Sequence, residues 1–200
     1  MEDLKQKLKQ ALSGRTAQRI LNPSLPKSAV LMPISYKQGQ YYILFTKRTQ
    51  SVKYHKGEMS FPGGVYEEGD GTLVNTALRE SYEEIGLAPA DVEILGQLDD
   101  IVTRVSSFIV SPFVAFIPSP YQFKLNPKEA EALAEVPIMA LLDKARVREE
   151  PAVIINGKTV ITYVYYYGDT VITGATARIL RQFLDIFAQV TGKGEATGKD

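Results

Sequence analysis

The Pro62-Gly63-Gly64 turn and the sequence that follows it constrain the fold most. A short run, Glu58-Met59-Ser60-Phe61, leads into this turn, and an acidic, turn-rich stretch leads from it to Gly71. Residues Leu73 to Ile85 then have the apolar spacing of a helix, and Gly86 is placed to form a left-handed C-terminal cap. The segment therefore predicts a strand, a loop and a helix of about three to four turns, in that order.

Three carboxylates share one face of the predicted helix. At 100° per residue, Glu80, Glu83 and Glu84 project within an arc of roughly 100°. Clustered carboxylates repel each other at pH 7, and a divalent cation with oxygen ligands relieves this repulsion. Arg79 neutralises only part of it. A solvated acidic face with a surface Arg-Glu pair is the commoner explanation of such a triplet, so the triplet alone does not define a site.

Composition excludes several classes of function. The chain has no cysteine and a single histidine, His55, which excludes disulfides, thiolate metal sites and His-rich zinc sites. Its 23 basic residues balance 23 acidic ones, so we expect a small-molecule partner and no nucleic acid. The sequence has no run of about 18 apolar residues and no signal-peptide core, which predicts a cytoplasmic protein without membrane contact. The sequence leaves open whether the protein forms a homodimer.

The order of predicted elements divides the chain into three parts. Residues 1–27 form an N-terminal helix and linker, residues 28–190 a single domain, and residues 191–200 a disordered tail. Within the domain the order of strands and helices is mixed rather than regularly alternating. Strands are predicted at 28–36, 41–48, 92–98, 107–117, 147–155 and 158–167, and further helices at 128–134, 138–143 and 175–190.

The run from Gly64 to Leu87 resembles the Nudix box, G-x5-E-x7-R-E-U-x-E-E-x-G-U, in which U is a bulky aliphatic residue. Its second half corresponds to Arg79-Glu80-Ser81-Tyr82-Glu83-Glu84-Ile85-Gly86-Leu87. Asp70 stands where the family has its first glutamate, Ser81 stands at the usual aliphatic position, and one extra residue separates Asp70 from Arg79.

The inserted residue is also a feature of the coenzyme A pyrophosphatase-like subfamily, which this chain resembles. That group has a preceding signature, L-L-T-x-R-S/A-x3-R-x3-G-x3-F-P-G-G. Here it corresponds to Leu44-Phe45-Thr46-Lys47-Arg48-Thr49, then Lys53, Gly57 and Phe61-Pro62-Gly63-Gly64. The likeness extends over about Ala29 to Phe187.

The resemblance implies a fold and a metal site. The fold is the Nudix α/β/α sandwich, an α/β fold of α+β type with a mixed sheet between helices. The expected cofactor is Mg²⁺, with Mn²⁺ as the alternative. Glu80, Glu83 and Glu84 are expected to hold it, and Glu80 and Glu84 are the first-choice ligands. Any of the acids could act as general base, and Glu83 is the candidate. The remaining candidates are Gly64 through its carbonyl, Glu67 and Asp70 as further metal ligands, and Arg79 as a structural support that orients a carboxylate.

The resemblance also implies a reaction. The expected substrate is coenzyme A or an acyl-coenzyme A, cleaved at its pyrophosphate to adenosine 3′,5′-bisphosphate and a 4′-phosphopantetheine. Arg48, Lys53 and Lys56 are candidates to contact its extra phosphate, although loop cations are more often simply solvated. Another nucleoside diphosphate derivative such as ADP-ribose is an alternative substrate. A Nudix domain that binds a nucleotide for regulation without hydrolysing it is the alternative from another class.

Overall fold

Apolar and β-branched runs form most of the strands, and the amphipathic runs form the helices. The computed structural model describes residues 2–49, 57–104, 106–155 and 158–193. The strands are β1 Lys27–Lys37, β2 Gln40–Arg48, β3 Met59–Ser60, β4 Gly63–Val65, β5 Glu93–Gln97, β6 Ile101–Val102, β7 Ile109–Phe116, β8 Ala130–Pro137, β9 Val147–Ile155, β10 Lys158–Tyr167 and β11 Thr170–Ile172. The helices are α1 Glu2–Ser13, α2 Leu73–Ile85, α3 Ile138–Leu141 and α4 Gly174–Thr191.

The main sheet is mixed, as the sequence predicts. Its central order is β3-β2-β1-β7-β5, with β1 parallel to β7 and antiparallel to β2. Strands β4, β6 and β8 pair with β1, β7 and β2 respectively. The predicted hairpin of β1 and β2 is confirmed, and both turn residues, Gln38 and Gly39, have positive φ angles of 51° and 82°. A separate antiparallel sheet contains β9, β10 and β11.

Alternating side chains of β1 separate the core into two halves. Ala29 and Leu31 pack with Ala77 of α2 on one face of the sheet. Met32 and Ile34 belong to the cluster on the other face, which also contains buried side chains of α1 and α4. Because successive residues of a strand point to opposite faces, one central strand serves both clusters. The helix, mixed sheet and helix layers expected from the sequence are therefore confirmed.

One predicted helix is wrong. Residues 128–134 were expected to be helical, but Ala130–Pro137 forms strand β8, which pairs along β2 from Tyr42 to Arg48. The alanines and glutamates of this segment favour a helix locally, and the unpaired edge of β2 overrides that preference. The other predicted helices occur at residues 138–141 and 174–191. The tail beyond residue 193 lies outside the described residues.

No helix within the described ranges is long and apolar enough to cross a membrane.

Candidate functional site

The acidic helix α2 begins and ends at the residues that the sequence predicts. Thr72 caps its first turn, since its hydroxyl accepts a hydrogen bond from the Asn75 N–H. Gly86 adopts the left-handed conformation with φ of 69°, and its N–H bonds to the Tyr82 carbonyl. The polar Ser81 is fully buried, and its hydroxyl donates to the Ala77 carbonyl at 2.6 Å. This internal hydrogen bond explains how a serine is accommodated at a position where the Nudix box usually has an aliphatic residue.

Two carboxylates of α2 lie against two glycines of β4. The Gly63 N–H donates to Glu84 Oε2 at 3.2 Å. A Cβ atom on Gly64 would lie 2.3 Å from Glu80 Cδ and 2.4 Å from each of its carboxylate oxygens. A Cβ on Gly63 would lie 2.3 Å from the Ala29 carbonyl oxygen of β1. Gly63 therefore lets β4 lie close to β1, and Gly64 leaves room for the Glu80 carboxylate beside the main chain.

Glu84 is a buried carboxylic acid with incomplete hydrogen bonding. Only 2% of its surface is exposed, and Oε1 has no hydrogen-bond partner. Burial raises the pKa of Glu84 to about 7, although the Gly63 N–H and the positive charge of Arg48 partly oppose the shift. Buried carboxylates are normally fully hydrogen-bonded or bound to a cation. The unpartnered oxygen is therefore available to a cation.

Arg79 connects the acidic helix to the loop before it. Its Nε and Nη2 donate to the two oxygens of Asp70 at 2.7 and 3.1 Å, and Nη2 also donates to the Val65 carbonyl at 3.0 Å. Its Nη1 donates to Glu80 at 2.9 Å and to Glu83 at 3.1 Å. The hydrogen bonds from Arg79 hold the pKa of Asp70 well below its usual range. The same guanidinium therefore fixes the loop and orients two helix carboxylates.

The predicted metal-site residues are not all brought together. Glu80 and Glu84 lie against Gly63 and Gly64, whereas the side chain of Glu83 is 50% exposed and Glu67 is exposed in the loop. Across the described ranges, no three Asp, Glu, His or Cys side chains converge on one point as a preformed metal cage.

Both Asp70 oxygens accept hydrogen bonds from Arg79, and one also accepts from the Glu67 N–H and the Thr76 hydroxyl. This geometry favours a structural role for Asp70.

Glu129 is an acidic residue at the site that was not among the candidates from the sequence. Its negative charge raises the pKa of both Glu80 and Glu84, although burial is the larger cause for each of them. The preceding loop is tied to the end of α2, because Lys124 N–H donates to the Ile85 carbonyl and Asn126 N–H to the Glu84 carbonyl. The side-chain amide of Asn126 then donates to Glu129 Oε1 at 2.9 Å.

This position could have been found from the sequence. The Asn126-Pro127-Lys128-Glu129 motif lies within the Nudix resemblance. Because a helix was predicted from residue 128, the sequence did not indicate that Glu129 lies near the acidic helix.

Three features of this region fit a hard divalent cation. The available donors are carboxylate and carbonyl oxygens, which Mg²⁺ and Mn²⁺ both accept. Glu84 has a buried oxygen without a partner, and Gly64 provides room for Glu80 beside the main chain. Burial raises the pKa of Glu80, and the charges of Glu83 and Glu129 raise it further against the opposing effect of Arg79. A cation would relieve this repulsion and compensate the buried charge.

A cavity of about 340 Å³ opens beside the two glycines. Its walls are mainly apolar and include Val30, Phe61 and Phe108, with several hydroxyl groups among them. Arg48 lines the cavity, and its Nε is buried without a hydrogen-bond partner. The other two predicted substrate contacts, Lys53 and Lys56, lie outside the described residues.

Comparisons with known proteins agree with this architecture. The NUDIX domain model matches residues 25–156. The uncharacterized Nudix hydrolase NudL of Photorhabdus laumondii is 33% identical over 155 residues, covering 78% of this chain and 81% of the relative. The protein of the same name from Enterobacter sp. strain 638 is 31% identical over 173 residues, covering 86% of this chain and 88% of the relative.

A solved structure supports the fold over nearly the whole chain. The MutT/nudix family protein from Enterococcus faecalis superposes with a TM-score of 0.57 at 13% identity, covering 90% of this chain and 71% of that one. At this identity the likeness concerns the fold only. Together, the matched domain model and the relatives of similar length show that the chain belongs to the Nudix family.

Proposed function

We propose that the protein is a Mg²⁺-dependent pyrophosphohydrolase, also active with Mn²⁺, that cleaves coenzyme A or its thioesters. The observation that carries the proposal is the placement of Glu80 and Glu84 against Gly64 and Gly63, at the edge of a cavity of about 340 Å³. The names of the two relatives, which describe Nudix hydrolases, support the reaction class.

Glu80, Glu84 and the Gly64 carbonyl would hold the cation. When bound, a divalent cation supplies charge stabilisation to phosphoryl oxygens and a water of lowered pKa. Arg79 holds the carboxylates of Glu80 and Glu83 in place, so it acts as a positioning residue. We leave Asp70 out of the ligand set because its oxygens are occupied by Arg79, and exposed Glu67 remains a secondary candidate.

The general base must accept a proton from the attacking water. We assign this role to Glu83, whose carboxylate is half exposed and is oriented by Arg79 at 3.1 Å. Glu129 is the second candidate, because it lies close enough to Glu80 and Glu84 to act on the pKa of both. Replacing each by glutamine distinguishes them, because the variant that lacks the base should lose most of its kcat while the other variant should keep most of it.

The substrate proposal rests on the subfamily signature from Leu44 to Gly64. In the reaction, water adds to one phosphorus of the pyrophosphate, the P–O–P bond breaks, and two phosphomonoesters and protons are released. For coenzyme A these products are adenosine 3′,5′-bisphosphate and 4′-phosphopantetheine. The mainly apolar cavity suits the uncharged part of such a substrate.

The test is incubation of the purified protein with Mg²⁺ and a panel of coenzyme A, acetyl-coenzyme A, ADP-ribose, NADH and diadenosine tetraphosphate. Chromatography with mass detection identifies the products, and reactions with EDTA serve as the control. We expect the coenzyme A compounds to be cleaved with the highest kcat/KM. Faster cleavage of ADP-ribose would overturn the substrate assignment. If no compound were cleaved while Mg²⁺ bound, the protein would be a nucleotide-binding Nudix domain instead.

A further inference from the structure

Two arginines without acidic partners lie next to residues that line the cavity, one on α4 and one on the loop between β6 and β7. Arg178, in the second turn of α4, is half-buried, and its Nη1 donates to the Val102 carbonyl at 2.9 Å. Arg104 follows two residues later on the loop between β6 and β7 and is exposed. Within the described part of the chain, neither guanidinium forms an ion pair with a carboxylate. By contrast, Arg181 of α4 forms an ion pair with Asp185, and Arg15, in the segment between α1 and β1, forms an ion pair with Asp99.

The electrostatic surroundings of Arg178 are unfavourable to its charge. Burial lowers the pKa of Arg178, and the positive charge of Arg104 lowers it further, with no carboxylate opposing the shift. Guanidinium groups stay protonated in proteins, so the charge persists and its partial desolvation is uncompensated. The N–H groups of Arg178 other than the one bonded to Val102 are not sealed from solvent. They are therefore available to an anion from solvent.

The cavity connects the neighbours of this pair to the glycines of the acidic site. Ala175 and Ile179, which flank Arg178 on α4, line the cavity, as does Thr103 beside its carbonyl partner. Gly64, which contacts Glu80, lines the same cavity. The N-terminus of α4 also faces this space and has no side-chain cap from Thr173, so its first N–H groups and helix dipole add positive potential. A molecule that occupied this cavity would therefore lie between the glycines that contact the acidic helix and the residues that flank the two arginines.

We propose that Arg178 and Arg104 form a subsite for a phosphate monoester that the substrate carries apart from its scissile pyrophosphate. The proposal rests on the proposed function. It assigns the extra phosphate to these two arginines and not to Arg48, Lys53 and Lys56, which the sequence suggested. Arg48 is a weaker candidate because it already acts on the buried carboxylate of Glu84. Two guanidinium groups and a helix N-terminus suit a phosphate dianion, which accepts several charge-assisted hydrogen bonds. The ribose 3′-phosphate of coenzyme A and the 2′-phosphate of NADPH share this chemistry.

A binding experiment tests the subsite without relying on turnover. The full-length protein in EDTA is titrated calorimetrically with adenosine 3′,5′-bisphosphate and with AMP, which differ only in the second phosphate. We expect about 10-fold to 100-fold tighter binding of the bisphosphate, as charge-assisted hydrogen bonds provide. Arg178→Gln should bring the two dissociation constants together, and Arg104→Gln should reduce the difference in part. Arg146→Gln, which removes an exposed guanidinium paired with Asp143, is the control that should keep the preference.

Equal affinity of the unmodified protein for both ligands, or an unchanged preference in a folded Arg178→Gln variant, would overturn the proposal. Thermal unfolding of the variant checks that it is folded, and Arg178→Lys, which keeps the charge, should retain part of the preference.

Turnover then distinguishes the source of the phosphate. We expect kcat/KM with Mg²⁺ to favour coenzyme A over dephospho-coenzyme A by about 10-fold to 100-fold. Arg178→Gln should abolish this ratio by lowering kcat/KM for coenzyme A to about the value for dephospho-coenzyme A. If the protein instead preferred NADPH over NADH and did not distinguish coenzyme A from dephospho-coenzyme A, a 2′-phosphate would be the ligand. Failure to cleave any of the four compounds would reject the proposed function, and the binding preference would still decide the subsite.

Discussion

At the scale of single residues, the contact between Gly64 and Glu80 constrains the position of a predicted metal ligand. Gly64 has no positive φ, so alanine is compatible with its backbone, but the added Cβ would meet the Glu80 carboxylate at 2.3–2.4 Å. We expect Gly64→Ala to displace that carboxylate and lower kcat/KM at least about 100-fold. The free energy of unfolding should change by no more than about 1 kcal/mol, because a glutamate side chain can rotate away.

The matched control for this substitution is Gly69→Ala in the same loop. A Cβ there has no atom within 4 Å, and no positive φ is required. Its activity and its denaturation midpoint should stay close to those of the unmodified protein. Equal activity of the two alanine variants would show that the contact with Glu80 has no role in turnover.

The buried acid Glu84 gives a second prediction at this scale. We expect Glu84→Gln to reduce kcat at least about 100-fold, because the variant loses a negative charge that a cation requires. Its metal-free free energy of unfolding should be equal or higher, since a neutral amide is less costly to bury than a carboxylate with a free oxygen. Turnover assays and urea denaturation in EDTA measure both quantities. The exposed Glu68→Gln is the control, and undiminished turnover of Glu84→Gln would refute the assignment of Glu84 to the site.

The spacing of Glu80, Glu83 and Glu84 could be predicted from the sequence, but their environments could not. Helical geometry places the three on one face, yet Glu84 is 2% exposed and the side chain of Glu83 is 50% exposed. The difference arises because β4 and its glycines cover only one edge of that face. Glu129 was missed for a similar reason. Its position near the helix depends on hydrogen bonds between the loop before it and the end of α2, which are tertiary contacts.

At the scale of elements, α1 lies on strand β5 through a glycine contact. Gly96 has φ of 157°, and a Cβ there would lie 2.6 Å from Leu12 Cβ. We expect Gly96→Ala to push α1 away and lower the free energy of unfolding by about 1–3 kcal/mol, as overpacking does in other cores. Urea denaturation followed by circular dichroism measures the change. A variant as stable as the unmodified protein would mean that α1 can shift without cost.

Ion pairs also attach α1 to β5, and they should respond to pH. Lys9 and Lys5 donate to Glu93 at 2.8 and 3.1 Å and lower the pKa of Glu93. A depressed folded-state pKa stabilises the fold above the unfolded value of about 4.3, and this contribution disappears as pH falls through the folded value. Because the side chain is 38% exposed, we expect Glu93→Gln to cost no more than about 1 kcal/mol at pH 7.

The difference between Glu93→Gln and the unmodified protein should shrink toward zero between pH 7 and pH 3, and also in about 1 M salt. Denaturation midpoints at these conditions provide the measurement. A difference that grew as pH fell would contradict the ion-pair explanation.

Most elements could be predicted because their local patterns agree with the fold, and β8 shows where this agreement ends. The sequence from Lys128 to Ala134 has residues that favour a helix, and Asn126-Pro127 provides a plausible helix start. Its strand conformation depends on pairing with β2, which is more than 80 residues earlier for pairs such as Phe45 with Ala134. A local pattern contains no information about that partner.

At the scale of the whole molecule, the site is assembled from segments that are distant in sequence. Strand β1 pairs with β4, which carries the two glycines, and packs against α2, which carries the acids. The loop before β8 adds Glu129, and α4 closes the far side of the cavity with its N-terminus. The chain has no net charge, so a substrate anion is attracted by local groups rather than by an overall field.

The acidic side chains of the site repel one another, which predicts that a bound cation stabilises the folded state. A ligand that binds only the folded state stabilises it by about 2.7 kcal/mol at 100 times its dissociation constant. We therefore expect Mg²⁺ to raise the unfolding temperature of the unmodified protein and EDTA to reverse the rise. Differential scanning calorimetry measures both. Glu80→Gln and Glu84→Gln should lose most of the increase, whereas the exposed Glu68→Gln should keep it. If all three variants responded to Mg²⁺ equally, the cation would bind elsewhere, and the oxygen of Glu84 that lacks a partner would need another explanation.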